Sequence, residues 1–129
     1  MSLHVEIVTP SGSAFSGDCS TATAPGLLGQ FGVLDMHAQT LAVTVAGVVS
    51  MEAAGVATRF VVGPGFAEVG PDRVTLLVDS CEPAEGVDKA AAAKALAEAF
   101  AELKLHSADS DEGMQARKAA DMAMAHLAA

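Results

Sequence analysis

The sequence predicts a β-sandwich or barrel followed by an antiparallel two-helix hairpin, and three features of the 129-residue chain support this fold class. Up to Ser80, short segments of alternating apolar and polar residues are separated by turns rich in glycine and proline. No helix-length segment lies between these strands, which favours an antiparallel sheet over β-α-β units. After Pro83 alanine dominates and Val87 is the only β-branched residue. We therefore expect two units, residues 1–82 and 83–129.

The strands are predicted from alternation and from the turns between them. Leu3, Val5 and Ile7 alternate with less apolar neighbours in a first strand. A polar cluster at 9–13 then turns the chain into a strand at 14–16. The remaining strand candidates are residues 19–24, 41–46, 48–53, 56–62, 66–69 and 74–78. The predicted reversals lie at Ala46-Gly47, Ala54-Gly55, Gly63-Pro64-Gly65 and Gly70-Pro71-Asp72.

Two helices are predicted in the alanine-rich part. The first has an apolar stripe formed by Ala92, Leu96, Phe100 and Leu103. Asp109 followed by Glu112 is typical of a capping box, which would start a second helix at about Asp111. The second stripe comprises Ala116, Ala120, Met124 and Leu127. Because alanine buries little apolar area, we expect the hairpin to be the weaker and more mobile half.

Charge and composition exclude several classes of function. Sixteen Asp and Glu against seven Lys and Arg give a formal net charge of -9, which disfavours binding to nucleic acid. The uncharged runs are shorter than the roughly 20 apolar residues that span a bilayer, and the start does not resemble a secretory signal. We therefore expect a cytoplasmic chain that is not inserted in a membrane. Cys19 and Cys81 are predicted to be buried or half-buried free thiols.

No catalytic motif is visible in the sequence. The nucleophile motif GxSxG, the Walker motif and GxGxxG are absent. The four histidines include no pair with the spacing of a helical zinc site, and no serine or cysteine has a histidine and an acid as partners in the local sequence. We expect no catalytic residue, no metal site and no cofactor. An enzyme whose site is assembled from distant residues stays an alternative.

The most unusual segment is PGLLGQFGVLDMHA, residues 25–38. It combines three glycines with five large apolar residues, which is too apolar for an ordinary solvated loop. Two interpretations are open from the residues alone. The apolar side chains close one end of the sandwich core, or they form a contact surface for a partner.

The order of these signals along the chain resembles the epsilon subunit family of F-type ATP synthases. The motifs that carry the resemblance are Val8-Thr9-Pro10, Phe15-Ser16-Gly17, the segment 25–38, Gly65-Phe66-Ala67-Glu68-Val69 and residues 74–79. The resemblance implies a non-catalytic rotor subunit that couples rotation of the c-subunit ring to the catalytic head through the gamma subunit. It also implies a peripheral position at the cytoplasmic face of the bacterial inner membrane, in a complex that translocates protons or sodium ions.

The resemblance also assigns roles to particular residues. The residues that it places at or beneath the contact with the c-ring are Gly26, Gly29, Gln30, Phe31 and Gly32, and it places His37 close to gamma. The family commonly has Glu at the position of Gln30 and Pro-Gly at the positions of Asp35 and Met36. We expect the docking role to survive these changes, with altered contacts.

The C-terminal hairpin is a candidate regulatory arm. In many relatives it extends along the stalk and inhibits ATP hydrolysis by contacting the alpha and beta subunits of the head. Here the second helix offers only Arg117 and Lys118 as cations, so we expect weak or absent inhibition. Asp88 matches the ATP-binding motif of some relatives, but Ala91 replaces its arginine, so we expect no ATP binding. The alternative function is a free-standing protein-binding adaptor with the same sandwich and helical arm.

Overall fold

The computed structural model describes residues 3–26, 29–32 and 40–129. Within these ranges ten strands are followed by two helices. The strands are β1 Leu3–Thr9, β2 Gly12–Cys19, β3 Thr21–Gly26, β4 Gly29–Gly32, β5 Thr40–Thr44, β6 Gly47–Ala53, β7 Val56–Val62, β8 Gly65–Val69, β9 Arg73–Val78 and β10 Cys81–Pro83. After a 3-10 turn at Ala84–Gly86 come α1 Lys89–Leu105 and α2 Asp111–Ala128. The predicted fold class, a β-sandwich followed by a helical hairpin, is confirmed.

Two strands were not predicted from the sequence. β4 contains two glycines in four residues, so it has no readable alternation. β10 is three residues long and ends in a proline. It lies at one end of the strand order and pairs with β7, a position where a proline is tolerated.

The strands form one continuous path in the order β10-β7-β6-β3-β5-β8-β9-β1-β2, with β4 paired to β3 beside this path. The described pairs are antiparallel, as predicted, apart from β1 and β9, which run parallel. Parallel strands need a long crossover, and most of the β-part of the chain separates these two. Through this pairing the first strand of the chain lies beside β9, one of the last strands of the sandwich.

The core lies in the interior of the β-sandwich and is built from aliphatic side chains. The largest fully buried apolar residues are Val5, Ile7, Val49, Val61, Val62, Val74 and Leu76. All of these residues except Val61 belong to one core cluster, and Phe15 and Phe60 pack against it with their ring centroids 5.4 Å apart. The inward residues of β1 are the alternating ones that the sequence predicted.

The predicted reversal at Ala54-Gly55 is a two-residue hairpin turn between β6 and β7. It joins Ala53 to its paired residue Val56. Ala54 and Gly55 have φ angles of 52° and 78°. Positive φ at both central residues matches the twist of the flanking strands, which is why two-residue hairpins use this turn.

The two helices pack along a seam that differs from the predicted stripes. On α1, Ala92 and Ala99 are buried while the predicted Phe100 is exposed. On α2 the buried seam residues are Gly113, Ala116, Ala120 and Ala123, and the predicted Met124 is exposed. A strict four-residue step drifts about 40° around a helix each time, so its third member leaves the contact face. Residues that are alternately three and four positions apart stay on the face that contacts the partner helix, as in a coiled coil.

The second helix begins with a different cap from the predicted one. Ser110, not Asp109, is the N-cap, and its Oγ accepts a hydrogen bond from the Gly113 amide at 3.0 Å. The same hydroxyl donates to the Ser107 carbonyl at 2.6 Å. Because the helix begins at Asp111, the residue just before it holds the capping geometry.

The hairpin is docked on the sandwich through α2, which packs against β6 and β7. Polar contacts support the docking: Lys118 Nζ lies 3.3 Å from Asp79 Oδ2, and the Arg59 guanidinium donates to the Ala128 carbonyl at 3.3 Å. His126 also pairs with Glu82. Cavities of about 380 and 350 Å³ lie between α2 and residues 45–47. The helix therefore rests on the sandwich without closely filling the space beneath it.

Candidate partner-binding surface

The predicted contact residues of the segment 25–38 are brought together in one hairpin. β3 and β4 pair antiparallel, with Gly26 opposite Gly29 and Gly32 opposite Thr23. Gln30 and Phe31 occupy the intervening register positions of β4, opposite Pro25 and Ala24. Five of the six predicted partner-binding residues thus belong to one two-stranded unit. His37 lies outside the described residues.

Close backbone packing fixes this hairpin to the rest of the sheet. The Val45 amide donates to the Pro25 carbonyl at 2.9 Å, and Gly26 pairs with Thr44 of β5. A Cβ atom added to Gly47 would lie 2.6 Å from Pro25 Cβ. A glycine at position 47 therefore allows the start of β6 to approach the hairpin.

A second surface, which we call the apolar face, was not predicted from the sequence. Large apolar side chains lie on the outer side of β5, β8 and β9, where Leu41 is 66% exposed, Val43 and Phe66 are each 48% exposed, and Leu77 is 41% exposed. The register places Val43 opposite Phe66 and Phe66 opposite Leu77. Three of the four residues therefore form one row across three strands.

The local sequences of β5 and β8 explain why these residues face outward. In β8 the small Ala67 and the aliphatic Val69 are buried, so Phe66 and Glu68 point the other way. In β5 the buried Thr44 puts Leu41 and Val43 on the outer side. The sequence did contain one signal for this face. In β5 and β8 the larger apolar residues alternate with the buried residues and therefore lie on the opposite side of the strand.

Carboxylates border the apolar face. Leu41 pairs with Glu68, Glu68 with Thr75, and Thr75 with Glu6. This row runs beside the row of Val43 and Phe66. A partner that covers the apolar face would therefore meet negative charge along one side of it.

The residues of the ATP-binding motif have a structural role in this chain. The Asp88 carboxylate caps α1 by accepting a hydrogen bond from the Ala91 amide at 3.1 Å. Asp88 and Ala91 line a cavity of about 300 Å³ together with Glu82 and His126. Two carboxylates and no Lys or Arg line this cavity, which is unfavourable for a polyphosphate. The expected absence of ATP binding stays a prediction.

The two cysteines match the prediction of free thiols, one buried and one half-buried. Burial raises the pKa of both thiols, and the neighbouring charges of Asp18 and Glu82 raise the pKa further. Both thiols are therefore protonated and weakly nucleophilic at neutral pH. In the part of the chain that the structure describes, no group of three or more His, Cys, Asp and Glu is placed to hold a metal ion. None of its helices is both long and apolar enough to cross a membrane.

Known proteins resemble this chain in sequence and in fold. Residues 2–84 match the family model described as ATP synthase, Delta/Epsilon chain, beta-sandwich domain. The ATP synthase epsilon chain of Magnetococcus marinus is 40% identical over 129 residues, covering 100% of this chain and 94% of that protein. The epsilon chain of Bacillus subtilis is 36% identical over 109 residues, covering 84% and 83%.

A solved structure of the Euglena gracilis mitochondrial ATP synthase, described as its OSCP/F1/c-ring in rotational state 1, contains a chain with the same fold. Its TM-score is 0.81 at 24% identity, and the match covers 95% of this chain and 77% of that one. At this identity the likeness supports the fold alone.

A β-sandwich that leaves an apolar sheet face exposed, with a helical hairpin docked beside it, is typical of a subunit that contacts other proteins. The chain belongs to the ATP synthase delta/epsilon chain family. It is a non-catalytic subunit of the stalk of an ATP synthase, which is a membrane-associated complex.

Proposed function

We propose that this chain couples rotation of a c-subunit ring to the catalytic head by binding the gamma subunit. The complex is an F-type ATP synthase that translocates protons or sodium ions, and the chain lies peripherally at the cytoplasmic face of the bacterial inner membrane. Family membership supports this proposal. The exposed row of Val43, Phe66 and Leu77 is the observation that carries it.

The apolar face is the proposed gamma-binding surface. Burying a large apolar side chain completely is worth about 1.5–3 kcal/mol, so each half-exposed residue of this row can add about 1 kcal/mol on association. In the sequence, His37 precedes β5 by only three residues. This closeness agrees with the role that the family resemblance gives to His37.

The β3–β4 hairpin is the proposed contact with the c-ring. Its residues Gly26, Gly29, Gln30, Phe31 and Gly32 are joined by antiparallel pairing. Three glycines among these residues allow a compact backbone to approach a partner closely. The family commonly has a glutamate at the position of Gln30. The neutral Gln30 would therefore make a hydrogen bond to the c-ring in place of a charged contact.

We propose that residues 1–82 form the coupling unit and residues 83–129 a regulatory arm of weak effect on the alpha and beta subunits. The docked arm places Lys118 beside Asp79 and Arg117 beside Asp121, with an N–O distance of 3.8 Å in the second pair. Both cations of α2 therefore already have carboxylate partners. This arrangement leaves little positive charge for an acidic site on the head.

Calorimetric titration with the cognate gamma subunit tests the assignment. The test variant carries Val43→Thr and Phe66→Thr, which place a residue with high strand propensity at both positions and remove apolar contact area. We expect affinity to fall about tenfold or more. Val56→Thr is the matched control, because Val56 is equally apolar and 65% exposed but lies at the β6–β7 turn.

The outcomes separate the two proposed contacts. Equal binding by wild type and by the Val43→Thr, Phe66→Thr variant would refute the apolar face as the gamma-binding surface. A Phe31→Ala, His37→Ala variant with normal gamma affinity leaves the β3–β4 hairpin for the c-ring. If the folded wild-type chain does not bind gamma at all, the adaptor function replaces the coupling function.

A further inference from the structure

The outer side of β1 and β2 brings together a serine, a histidine and an aspartate that are separated in the sequence. His4 pairs with Asp18, and Glu6 pairs with Ser16, so Ser16 lies diagonally across from His4. His4 Nδ1 lies 2.9 Å from Asp18 Oδ1, and His4 Nε2 lies 3.2 Å from Ser16 Oγ. Nδ1 therefore pairs with Asp18, and Nε2 pairs with Ser16. The local sequence could not show this set, because strand pairing creates it.

The chemistry of the partners sets the hydrogen-bond directions. An ionised carboxylate can only accept, so Nδ1 carries the proton and donates to Asp18. In the neutral ring Nε2 is then an acceptor, and it receives the hydrogen bond of the Ser16 hydroxyl. This is the order serine, histidine, acid in which a histidine serves as the base for a serine nucleophile.

We propose that Ser16, His4 and Asp18 make Ser16 a reactive nucleophile toward small activated acyl and phosphoryl esters. Ser16 Oγ bonds to the carbonyl carbon or phosphorus, and its proton moves to His4 Nε2. The leaving group departs with the electron pair of the bond that breaks. Asp18 stabilises the imidazolium that forms.

The surroundings leave the triad open to reagents from solution. The triad lies on an open sheet surface, where the side chain of His4 is 35% exposed and that of Asp18 is 70% exposed. Arg73 pairs with His4 from the other side, on β9, and places a cation on the same face of the sheet. Glu6 lies directly opposite Ser16 on this face, so an uncharged acyl or phosphoryl ester can approach Ser16 more readily than an anionic one. This reactivity is independent of the coupling function proposed above.

A fluorophosphonate probe on the full-length chain tests the proposal. Attack by Ser16 forms an oxygen–phosphorus bond and releases fluoride, which leaves one stable adduct for intact-mass measurement and peptide mapping. The chain contains no tyrosine, so this side reaction of the probe is absent. We expect labelling at Ser16, no adduct in Ser16→Ala, and labelling at least tenfold slower in His4→Gln and in Asp18→Asn.

Ser13→Ala is the matched control. Ser13 is an exposed serine on the same strand, and its hydroxyl donates to the Phe15 carbonyl at 3.5 Å. This variant should label at the wild-type rate. Circular dichroism shows that each variant is folded, and unfolded wild type should lose the selectivity for Ser16. An unlabelled folded chain, an adduct at another residue, or equal rates in wild type and His4→Gln would each overturn the proposal.

Discussion

At the scale of single residues, the clearest energetic conflict is the hydroxyl of Thr44. The residue is 2% exposed, and among the described residues its Oγ1 has no hydrogen-bond partner. Leaving a buried polar group without a partner costs about 1–3 kcal/mol. Thr44 is also the point where β5 meets both Gly26 and Gly65. Its backbone is therefore well paired while its side chain is not.

Replacing this hydroxyl by a methyl group should stabilise the protein. We expect Thr44→Val to raise the free energy of unfolding by about 1 kcal/mol and the Tm by a few degrees, because valine has the same shape without the unpaired oxygen. The chain has no Trp or Tyr, so far-UV circular dichroism is the readout. Thr58→Val, the same change at an exposed strand position, should stay within about 0.5 kcal/mol. A clear loss of stability in Thr44→Val would show that the hydroxyl has a partner.

Single residues also show which chemistry the sequence could predict. The two free thiols were predicted correctly, because isolated small cysteines behave as apolar residues. The unpaired Thr44 and the Ser16 triad were not predicted. Both depend on which strand lies alongside, and residues 4 and 18 become neighbours only when β1 and β2 pair.

At the scale of secondary structure, periodicity predicted the elements better than their contact faces. The predicted strands from residue 41 onward agree with β5 to β9 to within a few residues, because turns and alternation point to the same limits. The helical stripes were only partly correct, since Phe100 and Met124 are exposed. A helix made mostly of alanine has no strong apolar stripe, so the partner helix decides which alanines are buried.

Gly113 packs closely against the link that joins α1 to α2. It is buried in the first turn of α2, and an added Cβ would collide with the Ser107 carbonyl oxygen. Alanine is normally better than glycine in a helix by about 1 kcal/mol. Here we expect Gly113→Ala to destabilise the hairpin by about 1–3 kcal/mol, because the link at 107–110 must move. The 222 nm circular dichroism signal measures the loss.

Gly86→Ala provides the comparison for that substitution. Gly86 lies in the 3-10 turn before α1, and no heavy atom lies within 4 Å of its added Cβ. This change should therefore be nearly neutral. If Gly113→Ala were as stable as Gly86→Ala, the Ser107 carbonyl would lie further from Gly113 than the structure shows.

At the scale of the whole molecule, the sequence predicted one of the two proposed binding surfaces. The β3–β4 hairpin was found because its glycines and apolar residues are contiguous along the chain. The apolar face was missed because its residues come from three strands, and only the register of β5, β8 and β9 makes them one row. Surfaces built by pairing between distant segments cannot be read from composition or local alternation.

The docked hairpin gives a prediction for the assembled complex. Its polar contacts with the sandwich are partly exposed, as in the pair of Lys118 and Asp79, and such pairs contribute at most about 1 kcal/mol each. These polar contacts therefore do little to hold the arm against the sandwich. A released α2 would still present few cations, with Asp121 next to Arg117.

We therefore expect deletion of residues 84–129 to leave ATP hydrolysis by the purified ATP synthase nearly unchanged. The double variant Arg117→Ala, Lys118→Ala in the full chain should also hydrolyse ATP at the wild-type rate. A several-fold rise in both variants would mean that these two cations are required for inhibition. A rise in the deletion alone would assign inhibition to the apolar residues that α1 and α2 leave exposed, such as Phe100 and Met124. In either case the weak arm proposed here would be wrong, while the gamma-binding test on the apolar face would be unaffected.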